Sequence, residues 1–414
     1  MKKTVFIITA LLIVAVLVMA GCPQPAPTTA PTTAPTTAPT TAPERTIRIG
    51  AIMALTGWFT VMDIPNWTQT VIAGEVLNER GGINVNGQIY KVELVAEDTG
   101  SDFEGVAAAA NRLVYDKGVK FIIGPTAFFA PAASPVTEPA GVMKISPFCT
   151  SMPGEVDITA PYSFTTCYGS VQMGMAAMKY MKQAYPEVKN VALVTPDDGA
   201  IPYLIPIIRE LLAAEGITVV GDTIGFPNEM QDFSPIVAKI QALEGIDAVF
   251  QENGVAPHVG AIIKGLREAG NTLPYFAAMP VTVGEVVNIA GAAASENLVT
   301  VALSPSDPGT PPLLQELIDL TIAKYGADTP LHHSGSSILY IYKEAMEAAG
   351  SIDPAVVKAK IESMGTVETL FGPGVLCGEA TYGINHVIAH QLPIQIFKDG
   401  KAASGGWVDI GLIP

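Results

Sequence analysis

Positive charge is what this 414-residue sequence has least of: 23 Lys and Arg stand against 39 Asp and Glu, a net charge of -16. Nowhere do Lys and Arg gather into the cluster that phosphate neutralisation needs, which excludes a nucleic-acid partner. Cysteine is scarce as well, with four in the chain, and no Cys-x-x-Cys or His-x-x-x-His spacing joins them into a ligand set. No metal is therefore expected. Catalytic signatures are missing too. There is no Gly-x-Ser-x-Gly elbow, and Thr56-Gly57-Trp58-Phe59 lacks the spacing of a phosphate or dinucleotide loop. His332-His333 has no third ligand or acid at metal spacing and reads as a solvent-exposed or capping pair. His386 and His390 flank a strand and carry no assigned chemistry. The chain is not expected to be an enzyme or to hold a cofactor.

What is present begins at the N-terminus. Lys2 and Lys3 precede an uncharged, mostly apolar run from Val5 to Gly21, and the small residues Ala20 and Gly21 lead directly into Cys22. A basic start, a short apolar core and a small-residue end describe a cleaved signal (residues 1–21), the alternative being an uncleaved signal anchor with an incidental cysteine. Met19-Ala20-Gly21-Cys22 resembles a bacterial lipobox with Met where Leu is usual. The resemblance makes Cys22 the lipidated mature N-terminus, held to a membrane by its acyl chains. Pro27 to Ala42 then repeats Pro-Thr-Thr-Ala four times. Nothing in it can pack, and as extended polyproline it makes residues 22–45 a tether of about 60 Å at about 3.1 Å per residue. Beyond the leader no second apolar span occurs, so a free-standing lipoprotein is expected.

From Thr46 the composition is that of a folded body, with about 370 residues for two domains. Strand patterns at Thr46–Leu55, Tyr90–Ala96, Val119–Gly124 and Val142–Pro147 alternate with helical ones at Pro65–Arg80 and Phe103–Lys117. A second series follows Cys167. Its helices are expected at Ser170–Ala184, Tyr203–Glu215, Phe233–Leu243 and Ala256–Ala269, and its strands at Asn190–Thr195, Ile217–Gly225, Ile246–Gln251 and Tyr275–Met279. Such alternation implies parallel sheets with helical crossovers, an α/β fold of two doubly wound lobes. Later helices at Pro311–Tyr325, Ser336–Ala349 and Pro354–Glu362 imply a return to the first lobe.

Short landmarks run through this body in a fixed order: Ile49-Gly50-Ala51, Leu55-Thr56-Gly57, Asn78-Glu79-Arg80-Gly81-Gly82, Glu97-Asp98, Phe121-Ile122-Ile123-Gly124-Pro125, Ile145-Ser146-Pro147 and Asn288-Ile289-Ala290-Gly291. Together they resemble the type I periplasmic binding proteins of the leucine/isoleucine/valine-binding branch. The resemblance implies two lobes joined by three hinge crossings, lobe one being 46–166 plus 303–388 and lobe two 167–302 plus 389–414. It also implies a monomer that holds a small molecule between its lobes and hands it to the permease and ATPase subunits of an ABC transporter. The other role in the family is sensing through a separate membrane protein.

Ligands of open parallel sheets sit beyond the carboxyl ends of the strands. In the family a carboxylate is held there by hydroxyls and backbone amides. Thr150 and the backbone of Phe148 match two of those positions, while Ala127 replaces the usual serine beside Thr126. Thr150 has a second reading as a helix N-cap. The acid that pairs with a ligand ammonium would fall within Ala278–Val281, where none exists. Glu252 is the nearest substitute, unless it is merely solvated, and Tyr203 is the nearest aromatic of the second lobe. Trp58, Phe59, Phe128, Phe129, Phe148 and Met279 crowd these loops as a possible apolar wall. With the carboxylate cradle reduced and the acid missing, a hydrophobic monocarboxylate or amide is expected in preference to leucine, and Glu252 turning inward would restore amino-acid binding. In an exported chain one disulfide is plausible, Cys149 with Cys167 being the nearer pair.

Overall fold

The computed structural model describes residues 45–413, Cys167 excepted; the leader, Cys22 and the repeat tether lie outside the described residues. Strands β1 (Arg45–Met53), β2 (Ile83–Val85), β3 (Gln88–Asp98), β4 (Phe121–Ile123), β5 (Met143–Ser146) and β6 (Ser163–Thr166) build the first part of one sheet. The second sheet takes β7 (Asn190–Asp197), β8 (Thr218–Val219), β9 (Ile224–Pro227), β10 (Ala248–Glu252), β11 (Tyr275–Ala278) and β12 (Leu298–Thr300). The chain then returns to the first sheet as β13 (Val367–Thr369), β14 (Gly372–Cys377) and β15 (Val387–Ala389), and ends in the second as β16 (Leu392–Lys398) and β17 (Lys401–Val408). The strand orders are β13-β14-β15-β6-β5-β4-β1-β3-β2 and β17-β16-β12-β11-β10-β7-β8, with β9 also paired to β7. The chain thus passes between the sheets three times, after β6, β12 and β15.

The helices that cover the sheets are α1 (Thr60–Glu79), α2 (Phe103–Asn111), α3 (Ala130–Thr137), α4 (Ser170–Ala184), α5 (Ile201–Ala214), α6 (Ser234–Gln241), α7 (Ala256–Glu268), α8 (Val283–Ala290), α9 (Pro312–Tyr325), α10 (Ser334–Ala349), α11 (Pro354–Ser363) and α12 (Glu379–Tyr382). Central strands are apolar on both faces because helices lie on both. Phe121, Ile122 and Ile123 of β4 are at most 1% exposed. Each such side chain contributes about 1.5–3 kcal/mol by leaving water.

Two sequence expectations change. The first helix begins at Thr60, not near Pro65, so this proline sits inside α1. Proline lacks the amide hydrogen that an interior position donates, and here the helix tolerates the one backbone bond it removes. The single strand expected over Ile217–Gly225 is divided into β8 and β9 around Gly221, whose φ of +70° breaks the extended run.

A third correction concerns His332 and His333, which are fully buried rather than solvent-exposed. Gln69 of α1 explains how: its Oε1 accepts the backbone N–H groups of both residues at 2.8 and 2.9 Å, and its Nε2 donates to the Pro330 carbonyl. His333 stands at the N-cap position of α10 but gives that helix no side-chain cap. Burial holds the two imidazoles down, to about 4 and about 3, so both are neutral.

Candidate functional site

In the first sheet β1 lies between β3 and β4, and in the second β7 lies between β9 and β10. At each place consecutive crossovers diverge to opposite sides, leaving a crevice at the carboxyl ends of the strands. A cavity of about 340 Å³ joins the two crevices. Trp58 after β1, Phe103 after β3, and Phe128 and Phe129 after β4 line one side. Asp197, Asp198 and Glu229, following β7 and β9, line the other. A larger groove of about 620 Å³ runs along α6 and α7, on the helical flank of the second sheet and not between the sheets.

The aromatic side is a packed assembly. Trp58 stacks on Phe128 at 6.2 Å with 8° between planes, and Phe128 and Phe129 lie 4.5 Å apart. Phe103 leans on Phe129 at 5.4 Å and is 47% exposed; with the half-buried Trp58 it is the part of the assembly left open, Phe128 and Phe129 being buried. The loop carrying Trp58 is fixed from below. Asp98 at the end of β3 accepts the backbone N–H groups of Leu55 and Thr56 at 2.9 and 3.1 Å and the Thr56 hydroxyl at 2.7 Å. Those bonds outweigh burial and hold the Asp98 carboxyl below its ordinary range. Gly57, at φ +89°, is required where the loop meets Ser101, because a Cβ there would come within 2.5 Å of the Ser101 Oγ.

Of the residues expected at the site, Trp58 and Phe128 line the cavity. Ala127 opens the short turn Ala127–Phe129. Thr126 turns away: its hydroxyl donates to Asp63 Oδ1 at 2.7 Å, and Asp63 Oδ2 accepts the Ala54 N–H at 2.7 Å. Phe148 stacks on Tyr168 at 5.8 Å, beside the first crossing. Tyr203 is 44% exposed on α5, and Met279 is fully buried. Thr150 starts no helix, so the N-cap reading falls. Instead its hydroxyl donates to Glu155 Oε1 at 2.6 Å and its N–H to Glu155 Oε2 at 2.7 Å. Cys149 has a free thiol that donates to the same Oε2 at 2.9 Å, and the partner expected for it, Cys167, lies outside the described residues.

Glu252 is not solvated but fully buried at the end of β10, and neither carboxyl oxygen has a hydrogen-bond partner. Burial, and then the charge of Asp198, push its pKa well above the ordinary value. Sequence reasoning overlooked the loop after β3, which supplies Phe103, and the one after β9, which supplies Glu229. The strand-end rule that found the other loops applies to both.

Several carboxyls stand above their ordinary range first through burial, among them Asp63 and Glu155 at about 7, Asp198 at about 6, and Glu252 well raised. In the folded state they keep protons that the unfolded chain has released, so their stabilisation is full at low pH and lost as pH rises through the folded values. His332, His333 and His390, held down by burial, have the opposite sign, but only below about pH 6.5, where unfolded imidazoles charge. Between about pH 6.5 and about pH 7.5 the carboxyls dominate, and the unfolding free energy should fall. Urea denaturation across that window checks the sign; a rising profile would refute it.

Residues 46–401 match the family model described as periplasmic binding protein. Leu/Ile/Val-binding protein homolog 1 of Brucella melitensis is 28% identical over 302 residues, 72% of this chain and 76% of that protein. A leucine binding protein from Thermotoga maritima superposes with a TM-score of 0.71 at 22% identity, covering 88% of this chain and 99% of the other. A branched-chain amino acid transporter substrate binding protein from Streptococcus pneumoniae, in complex with isoleucine, superposes at 0.70 and 21% identity, covering 88% and 99%. With the matched stretch running from the first strand of one sheet into the last strand of the other, the chain belongs to the periplasmic binding protein family, and the relatives named above are solute-binding proteins, not enzymes.

Proposed function

We propose that this protein is the extracytoplasmic solute receptor of an ABC transporter of the branched-chain amino acid type, which closes over its ligand and presents it to a permease with its ATPase. The observation that carries this reading is a cavity onto which the switch points of both sheets open. Residues 46–166 with 303–388 would form one lobe and 167–302 with 389–414 the other, a division supported by the strand membership of the two sheets. Because the cleft spans both lobes, a ligand that touches both favours the closed arrangement through contacts absent from the open one. Lipid on Cys22 and the repeat tether would keep the receptor, a monomer, near its permease; the mass of the mature N-terminus tests that attachment. No helix among the described residues is long and apolar enough to cross a membrane.

The exposed parts of Phe103 and the half-buried Trp58, backed by Phe128, support a ligand with a flat or branched apolar body. Among the polar ends expected from the sequence, a carboxylate is the least supported, since the Thr150 hydroxyl and N–H are already engaged by Glu155. An amide, or an amino-acid-like body whose carboxylate is masked, fits better. A thermal-shift screen over amino acids, amides, amines and aromatic acids should find a stabilising ligand, worth about 2.7 kcal/mol at 100 times its dissociation constant. Trp58→Ala should abolish that shift. A ligand that stabilises the parent chain and Trp58→Ala equally would place binding elsewhere.

A further inference from the structure

The charges around the cavity are all of one sign. Asp102, Asp197, Asp198 and Glu229 line it, and no lysine, arginine or histidine does. Asp102 is occupied as the N-cap of α2, accepting the Gly105 N–H at 2.6 Å. Asp197 and Glu229 are exposed on the side facing the aromatic wall. Asp198 is drawn inward, taking the Ala200 N–H at 3.0 Å and the Asn253 amide at 2.6 Å, both neutral donors. Glu252, fully buried with both oxygens unpartnered, lies close enough to Asp198 to feel its charge. An acidic lining with no basic side chain among it is a site short of positive charge, and Glu252 stands behind that lining, not within it. The rings opposite add to it: an aromatic face attracts a cation and offers nothing to an anion.

We propose that the cavity selects an organic cation, a primary or quaternary ammonium on an aromatic or branched apolar body, and that a free carboxylate on the ligand weakens binding. The ammonium sits between Trp58 and Asp198, and the apolar body covers Phe103. The inference rests on the cleft being the solute site.

Calorimetric titration of the detergent-solubilised full chain with 2-phenylethylamine, benzyltrimethylammonium, phenylalanine and 3-phenylpropanoate decides it. The two cations should bind at least tenfold more tightly than 3-phenylpropanoate. Asp198→Asn and, in case that variant folds poorly, the exposed Glu229→Gln should each weaken the cations and leave 3-phenylpropanoate unchanged. If 3-phenylpropanoate or phenylalanine binds more tightly than the amine and loses affinity in Trp58→Ala, the cation inference is overturned while the cleft stands. If cations bind but Trp58→Ala and Phe128→Ala leave their affinity unchanged, the cleft reading fails and takes this one with it. Failure of all four probes to bind also overturns the inference.

Discussion

Asp63→Ala should cost about 2–5 kcal/mol of stability, whereas Asp63→Asn should stay within about 1 kcal/mol of the parent chain. Asp63 is 2% exposed in the first turn of α1 and ties two loops together. One oxygen takes the Ala54 N–H after β1, the other the Thr126 hydroxyl after β4. Alanine leaves both donors buried and unmatched, and each such loss costs about 1–3 kcal/mol. Asparagine can accept the Ala54 N–H with its oxygen and donate its amide to the Thr126 hydroxyl, which turns to accept. It also removes a carboxyl that burial has already pushed to about 7. Urea midpoints of the two variants measure the difference. Equal losses would mean that charge, not hydrogen bonding, is what the site requires.

The second large effect belongs to Glu155. Three donors converge on its carboxyl, from the Cys149 thiol, the Thr150 N–H and the Thr150 hydroxyl. Glu155→Ala should therefore lose about 2–4 kcal/mol, the scale of charge-assisted bonds to a buried acceptor. It should also do something that a merely structural loss would not. With the cradle emptied, a small carboxylate can enter it, so acetate should raise the melting temperature of Glu155→Ala in preference to chloride at the same ionic strength. The parent chain, whose cradle is full, should show no such preference. Binding of the lost group by linkage has a defined size, RT ln(1 + [L]/Kd), which the acetate titration measures. A variant as indifferent to acetate as the parent chain would show that the Thr150 position cannot accept an added carboxylate.

These two residues also mark where the sequence stops being readable. The strand–helix alternation was legible because each element carries its own pattern: Phe121-Ile122-Ile123 reads as a strand buried on both faces, and Ser170–Ala184 was placed with the bounds the structure shows. Some elements went unread although their signals are local. Asn86-Gly87, both at positive φ, is the turn of the β2–β3 hairpin, and Thr282 with Glu285 forms the capping box that starts α8. The partners of polar side chains are another matter. Thr126 meets Asp63 across 63 residues, and Gln69 meets His332 across 263, pairings that exist only once the first sheet and its helices are folded. Glu155 stands five residues from Thr150, yet whether it curls back onto it depends on Ser151 adopting φ +66°, which no residue pattern announces. Trp58 and Phe128 were identifiable as the apolar wall by the strand-end rule alone. The acidic side opposite them was not, because the loops after β7 and β9 bring Asp197, Asp198 and Glu229 to the same cavity as Trp58 only in the folded chain.

Closure of two lobes over a solute in the shared cavity is the centre of the account, and small-angle scattering reads it directly. The chain freed of its leader, carrying Cys22→Ser so that no lipid is attached, would be measured alone and saturated with the tightest ligand of the thermal-shift screen. The account predicts a smaller radius of gyration with ligand, and no such change for Trp58→Ala under the same conditions. A profile unchanged at saturation in the parent chain would contradict it.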